Sequence, residues 1–310
     1  MIKKIQITDF TDPQTSIYNS RSETQLFRMN EPEPGLFIAE TELVIRRALK
    51  AGYIPVSMLV VEDELDNLSD LIKECEKSIL TDACSDQKND AGGSLTSNIN
   101  IEDDSVPNAD SDKTHVLPVY YAKYEHIKNL AGFPLTRGVC CAMKRQKLPD
   151  INTVLENASN IAVLWDIENP TNIGTIFRNA AALNIDAVIL SADSSDPLYR
   201  RSLRAGMGCQ FSLPWTFTDD ISLIKEKGFH IAALALSDNS VGLSEFALKN
   251  YPRKAILLGN EGKGLPDEIL KICDSVVKIP MREGIDSLNV AVASGIAFYE
   301  LCSISSGHLA

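Results

Sequence analysis

Between Ile161 and Ile279 short apolar runs alternate with helix-length segments, and this alternation constrains the fold more than any other feature of the chain. The strand candidates are Ile161–Asp166, Ala187–Leu190, Phe211–Leu213, His230–Leu236, Ala255–Leu258 and Ser275–Ile279. Helices are expected between most of them, at about Asn172–Leu183, Pro197–Ala205, Asp219–Lys227 and Pro266–Ile272, and a last one at Leu288–Ser303. Strands that are apolar along their whole length are buried on both faces, and strand–helix–strand order makes them parallel. A sheet of this kind offers its ligand sites beyond the carboxyl ends of the strands.

The first half reads as a smaller α/β unit. Leu36–Ala39 is a strand candidate, Thr41–Ala51 a helix that Gly52 stops, and Pro55–Val61 a second strand, together a βαβ unit with at least some parallel pairing. A helix is expected at Leu65–Leu80, strands at Val116–Tyr121 and Val139–Met143, and a helix at Tyr124–Leu130. Residues 1–20 show no periodicity. From Thr81 to Lys113 Ser, Asn, Asp and Gly replace large apolar residues, and an acidic insertion that cannot offset its own ordering entropy is expected. Arg145–Asp150 reads as the connection between the units, so the expected domains are 1–147 and 148–310.

The chain of 310 residues, 44% of them hydrophobic, has material for two cores. No apolar run reaches the roughly 20 residues of a membrane span, and the N-terminus has no signal-peptide pattern, so a cytoplasmic location is expected. Seven scattered cysteines without a CxxC pair, and four separated histidines, argue for reduced structural thiols and against a metal site. The net charge of −12 is held entirely by Glu62–Asp112, where 15 acidic residues face three lysines. The remainder is neutral and carries two basic patches, Arg137 with Lys144, Arg145 and Lys147, and Arg200 with Arg201 and Arg204.

Three strand-to-loop junctions carry unusual residues. In DIENPTNIGTIFRNA a strand ends at Asp166; Asn172 can cap the following helix, and Arg178 lies about 120° around that helix from it. In LLGNEGKGL, Gly259, Gly262 and Gly264 frame Asn260 and Glu261, which lets the backbone turn sharply and approach a ligand. Its spacing fits neither a dinucleotide fingerprint nor a phosphate-binding loop, which disfavours a dinucleotide-dependent oxidoreductase. In KIPMREGIDSLNVAVASGIAFYEL, Pro280 ends a strand, Asp286 and Ser287 are N-cap candidates, and the helix that follows is apolar on nearly every side, as a buried helix or one facing another subunit would be.

Together the three junctions resemble the SpoU (TrmH) family of the SPOUT class of RNA methyltransferases, over about residues 155–303. More weakly, GLFIAETELVIRRALKAGY with VSMLVV resembles that family's small N-terminal α/β substrate-binding domain. The resemblance implies methyl transfer from S-adenosyl-L-methionine to a ribose 2′-hydroxyl of tRNA or rRNA, without a metal. It also implies a parallel sheet with a deep trefoil knot, and a homodimer. By position in the motifs, Asn172, Arg178, Glu261, Ser287 and Asn289 match the catalytic set, and Gly259, Asn260, Glu261, Ile279, Met281, Leu288 and Asn289 the cofactor pocket. Arg200, Arg201 and Arg204 match a segment that lies near RNA in relatives. The alternative it leaves is a family member that binds RNA without catalysing.

Overall fold

The computed structural model describes residues 1–8, 15–19, 21–31, 33–89, 116–131, 138–237, 239–245, 250–284 and 287–302. The chain divides into two compact units, Met1–Arg145 and Gln146–Ala310.

The first unit contains β1 (Ile2–Gln6), α1 (Ser16–Asn19), α2 (Glu23–Phe27), β2 (Leu36–Glu40), α3 (Glu42–Lys50), β3 (Pro55–Val61), α4 (Ser69–Asn89), β4 (Leu117–Ala122), α5 (Tyr124–Ala131) and β5 (Val139–Lys144). Its sheet has the order β1-β4-β3-β5-β2, and only β5 runs antiparallel to its neighbours. The βαβ unit β2-α3-β3 is therefore present with β5 inserted between its two parallel strands. Thr41 begins α3 with its hydroxyl accepting from the Val44 N–H, and Gly52 follows the helix at φ 84°, a conformation that costs glycine little.

Three departures from the sequence reading have local causes. Residues 1–20 hold strand β1 and helix α1; β1 is an edge strand whose two successive lysines, Lys3 and Lys4, are both exposed, so strict alternation is lost. Helix α4 runs on to Asn89, nine residues beyond the helix expected at Leu65–Leu80. Loss of large apolar residues is a signal about burial and not about helix formation, so it does not mark where a helix stops. Residues 90–113 of the expected insertion, and Arg137, lie outside the described residues. Arg145 is not a free cation: its Nε donates to Leu36 O at 3.1 Å and its guanidinium lies 4.8 Å over the Phe27 ring. Cys75, Cys140 and Cys141 are buried free thiols here, and burial, then the neighbouring Cys75 thiol, push Cys141 well above the ordinary value.

The second unit contains α6 (Ile151–Leu155), β6 (Asn160–Leu164), α7 (Pro170–Ala182), β7 (Ala187–Leu190), α8 (Arg200–Gly206), β8 (Trp215–Phe217), α9 (Ser222–Glu226), β9 (His230–Leu234), β10 (Val241–Gly242), β11 (Lys254–Leu258), α10 (Asp267–Ile272), β12 (Ser275–Lys278) and α11 (Val290–Cys302). Its sheet is parallel throughout, in the order β10-β12-β9-β11-β6-β7-β8. One face packs Ile161, Val163, Ile189, Ile231 and Leu257 against Val154, Leu155, Ile224 and Ile269. The side chains that alternate with these meet α7 and α11, where Ile173, Ile176, Phe177 and Phe298 are fully buried. Each such side chain contributes roughly 1.5–3 kcal/mol through the area removed from water.

The strand expected at Phe211–Leu213 is instead β8, four residues further on. Phe211 closes a 3₁₀ turn, and the strand starts after Pro214, where the missing N–H disturbs no ladder. Trp215 then packs edge-on against Phe177, with ring centroids 6.2 Å apart. Helix α6, which has no counterpart in the sequence reading, begins directly after the expected connection and is capped by that segment's last residue, Asp150, whose side chain accepts from the Asn152 N–H.

At the amino ends of the strands Arg253 ties three segments together. It donates to Ala158 O at 3.2 Å, to Lys227 O at 2.8 Å and to Leu155 O, and it lies 4.2 Å over the Phe229 ring. Arg253→Ala is expected to cost about 2 kcal/mol, a loss of about 4–8 °C in melting temperature, readable by thermal denaturation. A change under 2 °C would show these bonds to be replaceable by water.

Candidate active site

At the opposite, carboxyl edge of the sheet the loops after β9, β11 and β12 converge with the start of α11. They enclose a cavity of about 480 Å³, within the usual range of small-molecule sites. Gly259, Asn260, Glu261, Ile279, Met281, Ser287, Leu288 and Asn289 all line it. Leu234, Ala235, Leu236, Leu258, Leu265, Leu270, Val290 and Ala293 supply an apolar wall. The contribution of Leu234–Leu236 escaped the motif reading because that strand end carries only apolar residues, which core packing alone would explain.

The loop after β11 is built around Asn260. Its Oδ1 accepts from the N–H groups of Gly262 (2.9 Å) and Lys263 (3.0 Å). Its Nδ2 donates to Asp166 O (2.7 Å) and Glu168 Oε1 (3.2 Å). All four bonds available to this amide are used, so Asn260 shapes the cavity by holding the loop onto the β6–α7 junction. Backbone bonds between Asn260 and Gly264 close the turn, and Gly264 takes φ 70°. Gly259 allows the turn to fold back: a Cβ there would lie 2.7 Å from Leu265 Cγ and 2.8 Å from the Gly264 carbonyl carbon. Gly259→Val is therefore expected to displace the loop and, if the cavity takes the S-adenosyl cofactor that the sequence resemblance implies, to weaken S-adenosylhomocysteine binding at least tenfold by calorimetry; unchanged affinity would separate the loop from the ligand site.

Asn169, not Asn172, caps α7, its side chain accepting from the Thr171 N–H at 2.9 Å, with Pro170 in the first turn. Asn172, one turn inside the helix, is buried and free for another use. Its Nδ2 donates to Glu261 Oε1 at 2.8 Å, and its Oδ1 accepts from Asn289 Nδ2 at 3.1 Å. The N-cap of α11 is likewise Asn289 rather than Asp286 or Ser287: its Oδ1 accepts from the Ala291 N–H at 3.0 Å, and its carbonyl accepts the first helical bonds. Asp286 lies outside the described residues. Both cap assignments depend on where the chain leaves the sheet, which adjacent Asn and Ser residues do not reveal.

Three of the five catalytic candidates, Asn172, Glu261 and Asn289, thus form one hydrogen-bonded chain across the three junctions, and Ser287 lines the cavity beside them. Arg178 stands apart. It is exposed on α7, does not line the cavity, and has no hydrogen-bond or ion-pair partner among the described residues. Arg200, Arg201 and Arg204 lie on α8, which packs against α7; Arg201 and Arg204 are exposed and Arg200 is half-buried. Among the described residues no cluster of His, Cys, Asp and Glu is arranged to hold a metal, and no helix is long and apolar enough to cross a membrane.

Helix α11 buries Val290, Ala291, Ala293, Ala297 and Phe298 against the sheet and α7. Leu288, Val292, Ile296 and Tyr299 remain exposed as one apolar stripe, which none of the described residues encloses.

Comparison with known proteins agrees with this architecture. The model of the SpoU rRNA methylase family matches residues 159–299. An uncharacterized tRNA/rRNA methyltransferase of Mycobacterium bovis is 40% identical over 196 residues, 62% of this chain and 67% of that protein. A 23S rRNA (guanosine-2′-O-)-methyltransferase of Acinetobacter baylyi is 29% identical over 60% of this chain and 78% of its own. In fold, the chain is similar to the crystal structure of an AdoMet-bound rRNA methyltransferase from Sinorhizobium meliloti, with a TM-score of 0.70, 20% identity, and coverage of 96% of this chain and 97% of that one. With its three junctions gathered at one edge of a parallel sheet, this chain belongs to the SpoU (TrmH) family of RNA methyltransferases.

Proposed function

We propose that this chain transfers a methyl group from S-adenosyl-L-methionine to a ribose 2′-hydroxyl of tRNA or rRNA. The observation that carries the reading is the Asn289–Asn172–Glu261 chain, which joins all three family junctions beside a cavity lined by the second and third. The apolar wall of Leu234, Leu236, Leu258 and Leu265 suits a flat purine, and Glu261, Ser287 and Asn289 suit the polar parts of an amino-acid-bearing cofactor. Cofactor-bound and 2′-O-specific names among the similar proteins support the same assignment.

When bound, the cofactor supplies an activated methyl group on a good leaving group. The residues then have to align the 2′-oxygen and stabilise its developing charge. Arg178 serves as the donor to that oxygen or to the adjacent phosphate; a guanidinium offers a planar fork of donors and no acceptor, so its part is charge stabilisation. Arg200, Arg201 and Arg204 on the adjoining helix contribute phosphate contacts that orient the RNA.

The reading includes a small N-terminal substrate-binding domain, a trefoil knot and a homodimer. In the sheet β9 and β11 separate β12 from β6, while α11, which follows β12 in the chain, packs on α7; that return supports the knotted reading. The exposed stripe Leu288, Val292, Ile296 and Tyr299 supports a second copy at α11.

The test is transfer of tritiated methyl from S-adenosyl-L-methionine to RNA from cells lacking the protein, followed by alkaline hydrolysis. A 2′-O-methyl group protects the adjacent phosphodiester, so label in alkali-resistant dinucleotides is expected. Label on a base would overturn the ribose assignment, and RNA binding without transfer would favour the non-catalytic alternative.

A further inference from the structure

Asn179 follows Arg178 on α7, yet its side chain engages the neighbouring helix. Its Nδ2 donates to Ala291 O at 2.8 Å and to Ser294 Oγ at 3.0 Å. Ser294 is fully buried, and its hydroxyl donates to the same Ala291 carbonyl at 2.8 Å. Gly295 leaves room for the amide: a Cβ there would lie 3.3 Å from Asn179 Nδ2.

Ala291 is where two sets of bonds meet, because its N–H donates to Asn289 Oδ1 while Asn289 Nδ2 donates to Asn172. Asn172 and Asn179 are seven residues apart, which is about two turns and leaves them within about 20° on one side of α7. The first turn of α11 is therefore tied to α7 at two levels. Arg178, about 100° away from Asn179, is left on the exposed side.

We infer that Asn179 is a positioning residue for methyl transfer: it fixes the first turn of α11 on α7 and so sets the placement of Arg178 relative to the cavity wall formed by Ser287–Ala293. The inference rests on the methyltransferase reading above. A role in stability alone is a poor account of these bonds. Ala291 O, inside α11, has a helical acceptor role of its own, so removing Asn179 leaves no orphaned carbonyl there.

The test compares Asn179→Leu, which fills the same space without donors, with Arg253→Ala, which weakens the unit at the far edge of the sheet. S-adenosylhomocysteine binding is measured by calorimetry, and kcat and apparent KM by methyl transfer to RNA from cells lacking the protein. Asn179→Leu is expected to weaken S-adenosylhomocysteine binding about tenfold and to lower kcat at saturating cofactor at least tenfold, with apparent KM for RNA within threefold. Arg253→Ala is expected to lower the melting temperature by about 4–8 °C, with binding and kcat within threefold. If Asn179→Leu fails to fold, Ser294→Ala, which removes one of the two acceptors, is expected to weaken binding about threefold. The inference is overturned by Asn179→Leu or, in its place, Ser294→Ala binding and turning over as the wild type does, or by Arg253→Ala losing both to the same degree. Absence of S-adenosylhomocysteine binding by the wild type would instead overturn the reading on which the inference rests.

Discussion

Arg178→Ala is expected to lower methyl transfer by about a hundredfold to a thousandfold, the cost of removing one donor aimed at developing charge. S-adenosylhomocysteine affinity should stay within threefold, because Arg178 does not line the cavity. Stability should change little as well. The side chain is exposed and has no partner among the described residues, and surface substitutions of that kind stay within about 0.5 kcal/mol. Arg178→Lys keeps the charge but loses the planar fork, so an intermediate rate is expected. Labelled-methyl transfer, calorimetry and thermal denaturation on the same preparations separate these effects. Full activity in the alanine variant would remove Arg178 from the site, whereas a tenfold loss of cofactor affinity would show that it acts through the pocket.

The largest expected loss of stability is at Gly174→Ala. An added Cβ would lie 2.1 Å from Ser202 O, 2.8 Å from Gly206 N and 2.9 Å from Ala205 Cβ, and the first two are backbone atoms. Helix α8 cannot yield cheaply, since Gln210 Nε2 donates to both Ser202 O and Ser202 Oγ, at 2.9 and 3.1 Å. The contact is reciprocal: a Cβ on Gly206 would lie 2.8 Å from Gly174 O. Separating the helices is expected to cost about 3 kcal/mol or more, at the upper end for overpacking, or about 6–12 °C in melting temperature. The sign is diagnostic, because alanine in an exposed helix interior is better than glycine by about 1 kcal/mol. A variant as stable as the wild type would mean that α7 and α8 do not touch at this point. Because the crossing joins the helix of Arg178 to that of Arg200, Arg201 and Arg204, lost RNA affinity is expected to accompany the unfolding.

The parallel sheet was legible in the second half because its strands are continuously apolar, and β7 falls at the expected Ala187–Leu190. Edge elements were harder to read. Strand β1 presents two successive exposed lysines, and β8 starts only after Pro214, so neither has the pattern of a buried strand. The helix caps were misread where several capping residues stand together. Asn169 and Asn172 are chemically alike, and only the path of the chain out of β6 decides which of them reaches a free N–H.

By itself the sequence determined the α/β class and the three polar junctions, since these follow from local pattern and side-chain chemistry; the methyl donor entered only through the resemblance of those junctions to a known family. The tertiary structure alone decided which junctions meet. Asn172, Glu261 and Asn289 lie far apart in sequence yet form one hydrogen-bonded chain, because parallel pairing brings β6 and β11 together and the chain returns past them into α11. It also decided that Asn260 is used up holding a loop, that Asn179 bridges two helices, and that α11 keeps an exposed apolar stripe. Those outcomes depend on long-range packing, in which the same asparagine can be a cap, a clamp or a ligand according to what the fold places beside it.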